Sequence, residues 1–316
     1  MASQRFVGID ISKAKVDVHC RPDGFSAQYK RDPAGLREMS RMLKNSGVVR
    51  IVVEATGGYE RTVLKALVRQ ELPVVLVQPR RARAFATAIN RLAKTDAIDA
   101  EILAIMAEAA TQNDTPWSEP RPEFEVLQSL VRRRHQLVTM ITAERVRMKQ
   151  AHTPLERESI RRVVDLLVAE RERLDEKLDD LVRADAMFKA RSAVLQSVRG
   201  VGRVTAITLL AELPELGTID RSSITSLAGL APMANDSGSK SGKRRIIGGR
   251  GAVRSVLYMG VVSLTHRAGI IGEFYLRLVS RGKPKKVAIT ACMRKLLIHL
   301  NAVMRDARLA EAAVTD

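Results

Sequence analysis

The sequence predicts an α/β domain followed by a mostly α-helical remainder. Three observations lead there. Short β-branched runs, Val48–Glu54 the clearest, are confined to the first third of the chain. Apolar residues between those runs recur at helical spacing, and from Glu123 onward helical spacing dominates. The length of 316 residues suits two domains at roughly 150 residues each.

The elements follow in order. Arg5–Asp10 is a short apolar run ending in an acid, and Lys15–Cys20 alternates polar and apolar residues, the period of a half-buried strand. Ser12-Lys13-Ala14 is a tight connection, so the pair reads as a hairpin. A third strand follows near Ser26–Arg31. Asp32-Pro33 opens a helix, because proline suits the first turn, and Leu36, Met39, Met42 and Leu43 share one face of it. Val48–Glu54 is a strand that again ends in an acid, broken by Gly57-Gly58. A helix over Tyr59–Gln70 turns Val63, Leu64, Leu67 and Val68 inward. Pro73–Gln78 is another buried strand, Pro79 starts a basic helix with Arg80, Arg81, Arg83 and Arg91, and Lys94–Ala110 is an alanine-rich helix.

This order is β-β-β-α-β-α-β-α: three antiparallel strands leading into two parallel βα units. It matches the ribonuclease-H-like fold, in which the first and fourth strands are neighbours and the final helix packs across their ends.

Thr115–Pro122 holds three prolines in a polar stretch and reads as a linker, with Trp117 expected to dock on a domain surface. Two long helices over Glu123–Arg191 break near His152-Thr153-Pro154. In the second, Ile160, Leu167, Leu174 and Leu181 recur every seven residues, a coiled-coil pattern. It suits either an intrachain hairpin or a contact with a partner. Further on, helices are expected over Val204–Leu213, Thr225–Leu230, Ala252–Arg267 and Pro284–Leu309. The resulting boundaries are 1–112, 113–190 and 191–316.

Composition narrows the partners. Lys+Arg number 53 against 35 Asp+Glu, a net charge of +18. Such an excess points to a polyanion, DNA or RNA, bound by counterion release. With aromatics at 3%, base stacking cannot dominate the affinity, so backbone charge contacts must. No continuous apolar run approaches the ~20 residues of a membrane span. No signal-peptide pattern opens the chain. Two cysteines, Cys20 and Cys292, cannot build a disulfide framework, which fits a cytoplasmic location.

Four carboxylates stand where a metal site would need them. Asp10 ends the first strand, Glu54 ends the fourth, and Asp96 and Asp99 share a helix face at i,i+3 spacing. In the predicted fold they converge, offering the hard oxygen ligands that Mg²⁺ takes in phosphoryl-transfer sites. Gly200-Val201-Gly202 precedes a helix whose N-terminus can hold a phosphate, or is simply a tight interhelical turn. The segment around Ser237, Ser239, Lys240, Ser241, Lys243, Arg244 and Arg245 mixes hydroxyls, cations and glycines. Its spacing alone favours a basic phosphate-binding loop without a nucleophile.

At these residues the chain resembles the DEDD transposases of the IS-one-ten family of bacterial insertion sequences, related to Piv-type DNA invertases. Gly8–Lys13, Glu54–Gly57 and Lys94–Ala100 are similar to the three blocks of the family's RuvC-like domain. Val198–Gly202 with Ala228–Pro232 is similar to its C-terminal transposase domain. The resemblance implies a DNA recombinase in which the acids bind Mg²⁺ and a serine makes a covalent phosphoserine link to DNA. It also implies a noncoding bridge RNA that pairs with donor and target DNA, and dimers that assemble into a tetramer. By motif the nucleophile falls on Ser237, with Ser239 and Ser241 as rivals. Two other readings compete: a Holliday-junction-type nuclease using water, and a non-catalytic nucleic-acid-binding scaffold.

Overall fold

The computed structural model describes residues 4–91, 93, 95–109, 116–233, 242 and 244–315. The chain forms two compact units, residues 1–120 and 121–316.

The first unit is built on a five-stranded sheet. Strands β1 (Arg5–Ile11), β2 (Lys15–Arg21) and β3 (Ser26–Lys30) run antiparallel. The turn after β1 closes because Ser12 donates its backbone N–H to the Lys15 carbonyl at 2.9 Å. Helix α1 (Pro33–Lys44) starts where Asp32 Oδ1 accepts the Gly35 N–H at 2.8 Å. Strand β4 (Val48–Glu54), helix α2 (Glu60–Val68), strand β5 (Val74–Val77) and helices α3 (Pro79–Ala88) and α4 (Asp96–Ala109) complete it. The strand order is β3-β2-β1-β4-β5, with β4 parallel to both its neighbours. The first and fourth strands are therefore adjacent, as the element order predicted.

Strand alternation sorts the residues onto two faces. Val7, Ile9 and Ile11 pack with Leu36, Met39 and Leu43 of α1 and with Val63, Leu64 and Leu67 of α2. On the opposite face Val52, Val75 and Val77 pack with Ala82 of α3 and Leu103, Met106 and Ala107 of α4. Trp117 joins the first of these cores, and its backbone N–H donates to the Val74 carbonyl at 2.7 Å.

The second unit opens with a helical hairpin, α5 (Pro122–Gln150) and α6 (Pro154–Ala184). Thr153 Oγ1 accepts the Glu156 N–H, and the Glu156 carboxylate accepts the His152 N–H at 3.0 Å, which fixes the corner. Leu167 and Leu174 pack on Leu137 and Ile141, so this part of the heptad stripe is occupied within the chain. The helix expected to continue to Arg191 stops at Ala184. Asp185 accepts the Phe188 N–H and starts α7 (Ala186–Gln196).

Helices α8 (Arg203–Glu212) and α9 (Arg221–Leu227) follow, then a two-residue ribbon of β6 (Pro232–Met233) and β7 (Arg245–Ile246), then α10 (Gly251–Thr265), α11 (Ile270–Ser280) and α12 (Lys285–Thr315). Helix α9 begins earlier than its apolar residues suggested, because Asp220 caps it through Ser222 and Ser223. Neither the ribbon nor α11 was expected. Lys285–Glu311 is long and apolar enough to cross a membrane by length and composition, although its charges interrupt any continuous run. Its Cys292, Leu296, Leu297 and Leu300 lie in the core of the helical unit.

Candidate active site

The site residues of the first unit gather at the ends of β1 and β4. The parallel register runs from Gly8 opposite Val52 to Ile9 opposite Val53. One step further, Asp10 and Glu54 come side by side. Both alternate onto the face covered by α4, opposite Ile9 and Val53.

Close docking of α4 supplies the other two acids. A Cβ on Gly8 would fall 2.0 Å from the Ala100 carbonyl oxygen and 2.2 Å from the Ala104 nitrogen. Only glycine lets the helix backbone lie on the strand there. The first turn of α4, with Asp96 and Asp99, is thus held next to the end of β1. Thr95 orders that turn, its Oγ1 accepting the Ile98 N–H at 3.3 Å and its carbonyl accepting the Asp99 N–H at 2.8 Å.

The electrostatics report the convergence. Burial pushes the Asp10 carboxyl up to about 6. A hydrogen bond from the Ile11 backbone opposes this, and the charges of Asp99, Asp96 and Glu54 add to it. Glu54 and Asp99 also line one cavity of about 510 Å³, floored by Ala82, Ala86, Ile102 and Leu103. Among the described residues no three metal-binding side chains are drawn into a ready-made cage. The four acids share a field, and two of them a cavity, rather than a closed cluster.

Two residues of this region escaped the sequence reading. Asp17 lies opposite Asp10 in the β1–β2 register. Its Oδ1 accepts from Gln28 at 2.8 Å, while its Oδ2 is buried without a hydrogen-bond partner among the described residues. The alternation of β2 could have revealed it, because it places Asp17 on the α4 side. Glu60 is buried, and its Oε2 accepts the N–H groups of Thr56 at 3.0 Å and Gly58 at 2.7 Å. It orders the turn directly after Glu54, and no motif marked it.

The second unit carries the remaining predicted residues. Ser237, Ser239, Lys240, Ser241 and Lys243 lie outside the described residues. The ribbon of β6 and β7 flanks their segment in the chain. Met233 pairs with Arg245 and Pro232 with Ile246, and Arg244 and Arg245 are exposed. Below the ribbon a Cβ on Gly229 would meet the Gly248 carbonyl oxygen at 2.2 Å, and one on Gly249 would meet the Gly229 nitrogen at 2.1 Å. Both glycines have positive φ. Arg254 ties this crossing by donating to the carbonyls of Ala228 at 3.0 Å and Gly248 at 2.6 Å. Arg250 braces it from behind, with a fork onto Glu215 and a further bond to the Glu212 carbonyl at 3.0 Å. Burial acts to raise Glu215, but the hydrogen bond and charge of Arg250 prevail and hold it below its usual value.

Gly200 and Gly202 play different parts. Gly200 has φ +90°, a backbone conformation that favours glycine, and a Cβ there would press on the Leu264 side chain at 2.5 Å. Gly202 is exposed at the start of α8 with no atoms near its open side. Cys20 and Cys292 are buried and their thiols are pushed up to about 11 by burial, so neither offers a thiolate.

The chain is similar to known proteins in both of its units. Residues 7–153 match a model described as a transposase of the DEDD IS110 type, and residues 192–276 match the Transposase IS116/IS110/IS902 family. Over 97% of both chains, the protein is 27% identical to pilin gene-inverting proteins of Moraxella bovis and Moraxella lacunata. It is 29% identical to an uncharacterized 44.8 kDa protein of insertion element IS116 from Streptomyces clavuligerus, over 52% of this chain and 43% of that one. The acids lie within the first matched region, and the crossing under the ribbon lies within the second. The chain belongs to the IS110 family of transposases.

Proposed function

We propose that the protein is a DNA recombinase that cuts and rejoins DNA through a serine nucleophile assisted by the acids of a RuvC-like domain. The observation that carries this reading is the placement of Asp10 and Glu54 at the adjacent ends of β1 and β4, beneath the helix α4 whose first turn carries Asp96 and Asp99. Membership of a transposase family and end-to-end similarity to gene-inverting proteins support DNA recombination as the activity.

The acids fit Mg²⁺. They are hard oxygen donors, and the Asp10 carboxyl is held protonated to unusually high pH by burial and like charge, a strain that a cation would relieve. Asp10, Glu54, Asp96 and Asp99 would hold the ion. Bound there, Mg²⁺ supplies Lewis-acid stabilisation of the phosphoryl oxygens.

The rest belongs to the chain. The Ser237 hydroxyl forms an ester to phosphorus as the bond from phosphorus to one deoxyribose oxygen breaks. The serine proton leaves and the displaced oxygen gains one. The phosphoserine conserves the energy of the broken phosphodiester, so rejoining needs no external nucleotide. Lys240, Lys243, Arg244 and Arg245 surround the serine in sequence and would offset the developing charge. Gly202, at the open start of α8, suits a DNA or RNA phosphate, and Gly200 shapes the same turn. We extend the reading to donor and target DNA chosen by a noncoding bridge RNA, to dimers assembling into a tetramer, and to three working segments: 1–112, 113–190 and 191–316.

The test is recombination of a plasmid carrying the element ends, with the element's noncoding RNA supplied. Asp10→Ala, Glu54→Ala, Asp96→Ala and Asp99→Ala should each abolish product while the proteins keep wild-type circular dichroism. Wild-type rates in Asp10→Ala and Asp99→Ala would remove the acids from the reaction.

A further inference from the structure

The cavity lined by Glu54 and Asp99 has a second, oppositely charged wall. Arg80 and Arg83 of α3 line it too. Their i,i+3 spacing sets both on one face of the helix. Helix α3 contains no acidic residue, and its N-terminus lies beside Arg80. Among the described residues neither arginine side chain has a hydrogen-bond or ion-pair partner. Arg91, just beyond the same helix, does pair, with Glu101 at 3.1 Å. The two cations thus stand exposed beside carboxylates without neutralising them. Ala82 and Ala86, which line the same cavity, are buried and small and take up little of it.

We propose that Arg80 and Arg83 grip the non-bridging oxygens of the DNA phosphodiester that is cut, presenting it to the acids across the cavity. This rests on the reading of Asp10, Glu54, Asp96 and Asp99 as the reaction's acids. A guanidinium fork matches phosphate oxygens in shape and keeps its charge at any working pH. Fixed cations at the reacting phosphate favour the transition state, where negative charge builds on those oxygens. Two unpaired arginines serve this better than two in salt bridges, because no existing bond must break when the phosphate arrives.

The experiment compares full-length wild type, Arg80→Ala/Arg83→Ala, Arg80→Lys/Arg83→Lys, Asp99→Ala and a control, Arg37→Ala, whose exposed side chain lies on α1. Single-turnover strand cleavage is measured at saturating DNA, with DNA affinity measured separately. A parallel substrate carries a neutral methylphosphonate at the cut position. The double alanine variant should cleave roughly 100-fold more slowly, the size of effect seen when a transition-state donor is removed. Its affinity for long DNA should fall only about two- to five-fold, since many other cations contribute. The lysine pair should recover part of the rate. The methylphosphonate should slow wild type by a larger factor than it slows the double alanine variant, because the two changes delete the same contact. Arg37→Ala should cleave as wild type does. Cleavage by the double alanine variant within about three-fold of wild type, alongside an inactive Asp99→Ala, would overturn the role of the arginines and leave the acids standing. An active Asp99→Ala would overturn the acids and the arginine proposal with them.

Discussion

Gly8 of β1 lies against the backbone of Ala100 in α4 so closely that a single added methyl group would fall 2.0 Å from the Ala100 carbonyl oxygen. The contact links a packing requirement to chemistry. Gly8 and Asp10 share a strand face, and Ala100 follows Asp99 in the helix, so docking at this point sets the distance between the acids. Gly8→Ala cannot be absorbed by a flexible side chain, because backbone opposes it. Overpacking of this kind costs about 1–3 kcal/mol or forces the helix away. The expected outcome is a lowered denaturant midpoint together with loss of recombination. Unchanged activity in Gly8→Ala would separate the acids from helix docking.

The two units should respond to pH with opposite sign. Asp10 is raised from 3.8 to about 6 in the folded chain, so the fold binds a proton that the unfolded chain releases in that interval. Its contribution to stability therefore falls as pH rises from about 4 to about 6 and stays low above it. Asp10→Asn removes that loss and should raise the melting temperature at neutral pH in metal-free buffer. Glu215 is held below its usual value, so its contribution is present above pH 4.5 and is lost as pH falls through the folded value. Melting of wild type, Asp10→Asn and Glu215→Gln across pH 3–8 checks both signs. A wild-type-like profile in Asp10→Asn would contradict the first.

The hairpin makes a separate prediction. Leu167 and Leu174 are engaged by Leu137 and Ile141, whereas Leu155 and Leu166 are 74% and 70% exposed. Leu167→Ala or Leu174→Ala should destabilise the second unit by about 2–5 kcal/mol, the usual range for buried leucines. Leu166→Asp should leave stability unchanged and weaken any self-association through this surface. Chemical denaturation and light scattering read the two effects. Unchanged stability in Leu174→Ala would mean that the stripe does not bind its own chain.

The charge excess of +18 predicts steep salt dependence. Affinity for RNA or DNA should fall by orders of magnitude over a few-fold rise in salt, because each neutralised phosphate releases counterions. Filter binding from 50 to 300 mM salt checks this. A flat plot would deny that backbone charge dominates binding.

The first unit was legible because its strands are β-branched runs ending in acids, and strand period sorts their residues onto faces without tertiary knowledge. Asp10 and Glu54 were read that way, and Asp96 and Asp99 from their i,i+3 spacing on a helix. Asp17 was missed although the same alternation applies, since it sits in mid-strand and broke no pattern. Arg80 and Arg83 were visible only as a basic helix, because their role depends on which wall of a cavity they line. Helix α11 carries Gly272 in its first turn, and glycine weakens the helical signal of a sequence. A Cβ on Gly272 would meet the Arg267 carbonyl oxygen at 2.1 Å, so that glycine serves packing. The ribbon was hidden because two-residue strands carry no period.

The central claim, a serine-linked DNA intermediate, is tested most directly by trapping it. The full-length protein, its RNA and end-labelled DNA are reacted with Mg²⁺, denatured, and resolved for a protein–DNA band. Wild type should give the band and Ser237→Ala should give none while still binding RNA and DNA. A band that persists in Ser237→Ala and vanishes in Ser239→Ala or Ser241→Ala would move the nucleophile to that serine. Product formed by wild type with no band under any condition would contradict the account and leave water as the nucleophile.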